Sequence, residues 1–360
     1  MGEERKGKAM KKLVTLLLAF VMVLSLAACG NEPANKTTES AKPAESTSAK
    51  PDKQYVLRIG HILDTESIRQ QYLERFAKEV EEKTNGGIKV EIYPSAELGS
   101  DDELIEQVKN GSIEGYSGSA IDTNIPGYNF YSMPFLFANV DEAIAVMNSD
   151  WGQNWAKASE KNGTVVLATG ACGFRNLTNS KHAVKTPADL NGIKLRVPSW
   201  EVTIKTMEAL GVSCTSIAYN ETYQALKTGV ADGQENPWAY IVSPKFYEVQ
   251  KYATVLNWNL TLEYFPINKA WFDALPTDYQ KIVKEAASSA MEWFNQANKD
   301  AEKGYIDLCA QYMEITELTD EEHQAFVNAT ASVYDYYIQK GLFTQQDLDT
   351  VRGIIAASKK

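Results

Sequence analysis

The apolar positions along this chain change rhythm repeatedly, from every second residue to every third or fourth and back. "YVLRIGH" at 55–61 and "IKVEIYP" at 88–94 read as strands. Between them Ile68, Tyr72, Phe76 and Val80 recur at four-residue steps, which predicts a helix over about 66–83, stopped by Asn85-Gly86-Gly87. Ser100 and Glu103 form a capping-box pattern ahead of Leu104 and Val108, and Asn110-Gly111 closes that helix. In the middle of the chain "TVVLATG" reads as a buried strand and "FRNLTN" as a second extended piece. "TPADLNG" is a single helical turn with Thr186 as its cap and Pro187 at its first position.

The stretch "NGIKLRVPSW" follows. Ile193, Leu195 and Val197 point one way and Lys194 and Arg196 the other, so a strand burying one face carries Arg196 on its open face. A helix over about 199–210, stopped by Gly211, and the helix "NETYQALKTG", capped by Asn220, complete the run. From Thr277 to Tyr312 the apolar residues keep helical steps with no Gly or Pro before Gly304, which predicts one very long helix. Strands alternating with helices make an α/β protein. At ~150 residues per domain, the globular part has room for two lobes that such a helix could brace together.

The N-terminus has a different character. After Arg5, Lys6, Lys8, Lys11 and Lys12 the chain is apolar through 13–28 and closes on Leu26-Ala27-Ala28-Cys29. That order is a secretory signal, and the run falls short of the ~20 residues that span a bilayer core. Its closing residues resemble the lipobox of bacterial lipoproteins, which makes Cys29 the lipidation site and ends a signal segment of 1–29. Residues 30–53 are rich in Ser, Thr, Lys, Pro and Ala without apolar periodicity and form a disordered tether. The globular body is then 54–360, with lobe 1 at about 54–170 plus C-terminal elements and lobe 2 at about 171–268.

Charge and cysteine content narrow the function. Five of the 36 basic and two of the 47 acidic residues lie in the leader, so the exported chain has a net charge of −14. Nucleic acid and anionic membrane surfaces are poor partners for such a chain. Cys172, Cys214 and Cys309 lack the close spacing of a zinc site and read as buried small hydrophobes, with a Cys172–Cys214 bridge left open. His61, His182 and His323 stand far apart, which gives no support for a metal. "GYSGS" at 115–119 ends in Ser119 where a nucleophile elbow needs Gly, so it reads as a turn or pocket rim. There is no phosphate-cradling or dinucleotide loop, and no cofactor is expected.

An exported, tethered, two-lobed α/β chain without catalytic apparatus suggests a small-molecule receptor. "FRNLTNSKHAVKTPADLNGIKLRVPSW" and "NETYQALKTGVADGQENPWAYIVSPKFYEVQKY" resemble the signature of DctP-type solute-binding proteins of tripartite ATP-independent periplasmic (TRAP) transporters. "YPSAELGSDDELIEQVKNGSIE" and "SMPFLF" resemble that family's first lobe. The resemblance implies a two-lobed periplasmic-binding-protein-like fold that closes on an organic acid and presents it to membrane permease subunits. It also implies a monomer that catalyses no reaction and touches the membrane only through its lipid.

By the resemblance, Arg196 of "KLRVP" holds the ligand's carboxylate, and Arg175 of "FRNLTN" and Asn236 of "GQENP" occupy further pocket positions. Tyr219 stands where an aromatic covers the ligand, and Ser119 and His61 fall near first-lobe contacts. Trp258 of "LNWNLT" replaces a histidine of many relatives, which implies an aromatic wall. The guanidinium suits the role because its planar fork meets a carboxylate with two hydrogen bonds and stays charged. Other readings of the same features are a binding protein of an ATP-driven importer, a sensory partner of a membrane kinase, and a secreted hydrolase or lyase acting on acidic sugars.

Overall fold

The computed structural model describes residues 53–120 and 126–359. The leader, Cys29 and most of the tether fall outside the described residues. None of the described helices is long and apolar enough to cross a membrane.

Two sheets organise the body. The first contains β1 (Tyr55–Gly60), β2 (Ile88–Tyr93), β3 (Gly115–Tyr116), β4 (Thr164–Phe174) and β10 (Leu260–Asn268), in the order β2-β1-β3-β10-β4. The second contains β5 (Asn176–Asn179), β6 (Lys194–Val197), β7 (Ser213–Ser216), β8 (Gly233–Asn236), β9 (Tyr252–Val255) and β11 (Glu314–Glu317), in the order β11-β9-β5-β8-β6-β7. β10 thus lies in the first sheet, although the sequence placed residues up to 268 with the second lobe. It is buried at every position, as a central strand must be. Pro266 is tolerated inside it because the register to β4 shifts between Phe265 and Pro266.

The chain passes between the sheets at Arg175 and again through 256–259. The Arg175 amide donates to the Asn259 carbonyl at 2.8 Å, and the Trp258 amide to the Arg175 carbonyl at 3.2 Å, so the two crossings are bonded side by side. They form a narrow hinge that also carries functional side chains.

Local chemistry sets the helices. Ser67 caps Ile68–Lys83 by accepting from the Gln70 amide, which moves the start past residue 66, and Tyr72, Leu73, Phe76 and Val80 are buried. Asp101–Asn110 has the capping box of Ser100 and Glu103 and ends on left-handed Gly111. β6, β7 and β8 are parallel, and each is followed by a helix: Glu201–Ala209, Tyr219–Thr228 and Trp238–Val242. The second of these begins at Tyr219 behind Ala218, one residue ahead of the expected cap Asn220.

The long helix runs Thr277–Cys309, 33 residues, three short of the predicted end. Val283, Ala286, Ala290, Met291 and Phe294 enter the first lobe's core. Cys309, at its far end, joins Leu226, Trp238 and Phe246 in a core of the second lobe. One helix therefore packs into both lobes. Cys172, Cys214 and Cys309 are unbridged.

Candidate functional site

In open α/β sheets ligands gather beyond the carboxyl ends of parallel strands, and here that position is a cleft between the lobes. Pro198, Ser199 and Trp200 follow β6, Ser216 ends β7 with Ile217 and Ala218 behind it, and Asn236 ends β8; all line one cavity of about 110 Å³. The start of the helix Asp101–Asn110 faces it from the first lobe and the start of Tyr219–Thr228 from the second. The second start has no side-chain cap, so its amides and dipole favour an anion, whereas the first is capped by Ser100 and carries Asp101 and Asp102.

Arg196 lies on this wall. Its neighbours Leu195 and Val197 are fully buried in a second-lobe core, which fixes the strand. The arginine points to the other side, yet it is only 2% exposed, because the opposite lobe covers the cavity. Its Nε donates to the Ile217 carbonyl at 2.8 Å, and no carboxylate of the described residues forms an ion pair with it. Burial lowers its pKa to about 10; Glu235 opposes that shift and the nearby charge of Arg175 adds to it. The fork is therefore held at its root, still cationic at neutral pH and without an ion-pair partner among the described residues.

Arg175 differs. Its Nη2 donates to Glu235 Oε1 at 2.8 Å and to the Glu235 carbonyl at 2.6 Å, and its Nε meets Oε2 of the same carboxylate. Nη1 donates to Thr261 Oγ1 at 3.0 Å. The Trp200 ring lies 5.4 Å from the guanidinium. Arg175 lines the cavity with its charge already balanced.

Asn236, Tyr219 and Ser119 line the same cavity. Asn236 Nδ2 donates to Gln234 Oε1 at 2.5 Å, and the Tyr219 hydroxyl to the Tyr240 carbonyl at 2.9 Å. Ser119 Oγ and the Tyr240 hydroxyl are 2.7 Å apart, a contact that crosses from one lobe to the other. Tyr240 also receives Arg69 Nη2, and Arg69 is paired with Glu263 in the first lobe's interior.

His61 and Trp258 are not on the cavity wall. His61 turns inward, its Nε2 2.8 Å from Gln70 Oε1, and its pKa falls to about 4 through burial, with Arg69 adding to the shift. Trp258 is fully buried and donates through Nε1 to Glu235 Oε2 at 3.2 Å, so it supports the partner of Arg175 and forms no aromatic wall. Trp200 lines the cavity instead.

The sequence reading missed Asp101, Asp102, Ser199 and Tyr240, all on the wall. The signal for the aspartates was present in the capping box, which marks Asp101 and Asp102 as the first helical residues. Nothing local says that this helix start faces the other lobe.

The family model described as bacterial extracellular solute-binding protein, family 7 (DctP), matches residues 59–340. The chain belongs to the DctP family. A solute-binding protein of Verminephrobacter eiseniae is 37% identical over 264 residues, covering 72% of this chain and 78% of that protein. Among solved structures, the sugar acid binding protein of Advenella mimigardefordensis in complex with galactonate is 30% identical with a TM-score of 0.79, over 85% of this chain and 98% of that one. The TRAP periplasmic solute-binding protein of Haemophilus influenzae with bound L-gulonate is 26% identical with a TM-score of 0.81, over 84% and 100%. DctP-family membership makes the protein an extracytoplasmic solute receptor with the two-lobed fold of TRAP solute-binding proteins.

Proposed function

We propose that this receptor captures an organic acid by clamping its carboxylate on Arg196 and delivers it to the membrane subunits of a TRAP-type transporter, without catalysing a reaction. The observation that carries this reading is the state of Arg196, which is buried, cationic and lacks an ion-pair partner among the described residues. An uncompensated buried charge is costly, and a ligand carboxylate supplies the missing partner through a two-pronged, charge-assisted contact. The galactonate and L-gulonate complexes of its relatives support the ligand class.

Closure follows from contacts available only when the lobes meet. Asp102 Oδ2 accepts from the Ser199 hydroxyl at 2.5 Å, and Asp64 accepts from Ser243. An acid held at Arg196 adds its own contacts to both walls and so raises the closed population. The receptor acts as a monomer held at the membrane surface by a lipid on Cys29. A Cys29→Ser chain is then released or left unprocessed in cells, and an unchanged processed mass in the membrane fraction would contradict the anchor.

A thermal-shift screen tests the ligand class, because a ligand that binds only the native state raises the melting temperature. Mono- and dicarboxylates and acid sugars form one arm, neutral sugars and amines the other. Stabilisation by acids alone is the expected result; stabilisation by uncharged compounds alone overturns the reading.

A further inference from the structure

Taking Arg196 as the carboxylate anchor, we infer that Asp101 makes the cavity selective for hydroxylated monocarboxylates and sets it against a second carboxylate on the ligand. Among the described residues four charged side chains line the cavity: Arg175 and Arg196 on the second-lobe side, Asp101 and Asp102 from the first lobe. Glu235 balances Arg175 through a fork of hydrogen bonds. One cation, Arg196, therefore remains for the ligand. A second carboxylate on the ligand finds no further uncompensated cation among the described residues of the wall, and the charges on the first-lobe side are those of Asp101 and Asp102.

The two aspartates differ in what they have left to offer. Asp102 Oδ2 is engaged across the cavity mouth by Ser199 at 2.5 Å. Asp101 Oδ1 accepts from the Tyr116 hydroxyl at 2.5 Å, while its Oδ2 receives no hydrogen bond from the described residues. Asp101 is half-buried, and it is among the groups whose charge acts on Arg196, so both belong to one electrostatic neighbourhood. A carboxylate oxygen with spare lone pairs takes a ligand hydroxyl as a charge-assisted partner. Burial raises the Asp101 pKa to about 6, so at neutral pH it is still mostly a carboxylate, and against a ligand carboxylate the same atom is a like charge at close range. The uncharged part of the wall, including Ser100, Ser216 and Asn220, carries groups that pair with hydroxyls. Selectivity here has an attractive element and a repulsive one, and the repulsive one discriminates between acids of equal length.

Titration calorimetry at neutral pH on the whole mature chain tests this with acids matched in carbon skeleton: threonate against tartrate, gluconate against glucarate, and galactonate against galactarate, with succinate as a dicarboxylate lacking hydroxyls. The wild type is expected to bind its best aldonate at least about tenfold more tightly than the matching aldarate. Asp101→Asn keeps an acceptor for Tyr116 and removes the charge, so that ratio should fall by about tenfold, in part because the aldarate now binds better. Asp101→Ser, a second route to a neutral side chain, should move the ratio in the same direction, and a melting curve on each variant shows that it is folded. A wild type that prefers the dicarboxylates overturns the selectivity while leaving the Arg196 anchor intact. An aldonate preference that both variants retain overturns Asp101 as its source. Binding by none of these acids overturns the carboxylate reading itself, and the selectivity falls with it.

Discussion

Arg196 and Arg175 share a cavity wall and a charge, but their partners differ, so their substitutions should separate. Arg196→Lys keeps the charge and loses the fork, which costs about 1.5–3 kcal/mol of binding, the range for hydrogen bonds to charged groups, or roughly tenfold or more in Kd. Arg196→Met removes a buried cation that has no ion-pair partner among the described residues, so the ligand-free protein should melt no lower than wild type while acid binding is lost. Arg175→Met instead strands Glu235 in the interior, and breaking such a pair costs about 3–5 kcal/mol of stability. Calorimetry and urea unfolding on the three variants check this order. His61 carries a pH prediction. Its folded pKa, about 4, lies below the ordinary value of 6.5, so the unfolded chain takes up a proton first as the pH falls. Stability from this group is complete above 6.5 and is lost as the pH drops towards 4, by about 2 kcal/mol at pH 5. His61→Gln should lose less stability than wild type between pH 7 and 5, and an equal loss would contradict the assignment. The apolar alternation showed only that Arg196 turns away from its own lobe's core; its proposed carboxylate role came from the resemblance of "KLRVP" to the DctP signature. The balance of Arg175 was not legible in the sequence, although Glu235 stands inside the quoted "DGQENP". Their meeting depends on β5 pairing with β8, Leu177 opposite Glu235, and antiparallel register cannot be read from either strand alone.

At the scale of elements, punctuation was the most readable feature. The capping box at Ser100, the cap position at Thr186 and the turn at Gly111 stand where the residues placed them. Local signals failed where tertiary packing chose between neighbours, as with Tyr219 starting its helix in place of Asn220. Sheet membership was less legible still. "LTLEYFPIN" reads equally well as the last strand of one lobe or a returning strand of the other, and its long antiparallel pairing with β4 decides the matter. Two glycines separate helix propensity from packing. Gly304 lies in the long helix with open space around a Cβ, so Gly304→Ala should stabilise the protein by roughly 0.5–1 kcal/mol. A Cβ at Gly233 would meet the Thr178 carbonyl oxygen at 2.4 Å inside the β5–β8 pair, so Gly233→Ala should destabilise and loosen the strand that carries Glu235 and Asn236. Urea melts of both variants check the opposite signs.

Across the whole molecule, the hinge, the brace and the cross-cleft bonds act together. Arg175 and Trp258 lie on the two crossings, so the residues that hold Glu235 also hold the lobes in register. The long helix packs into the cores of both lobes. Ser199→Ala removes a bond made only across the closed mouth, so it should weaken acid binding several-fold without changing which acids bind. The two-lobed plan and the receptor class were legible from the leader, the element order and the signature blocks. The cavity's first-lobe wall was not, because facing surfaces of separate lobes leave no shared sequence pattern. The central claim is that a buried Arg196, without an ion-pair partner among the described residues, captures a ligand carboxylate. Calorimetric titration of the best-binding acid and of its uncharged carboxamide, each against wild type and Arg196→Met, tests it most directly. The account predicts tight binding of the acid to wild type and loss in the other three titrations; equal binding of acid and carboxamide, or an acid affinity unchanged in Arg196→Met, would contradict it.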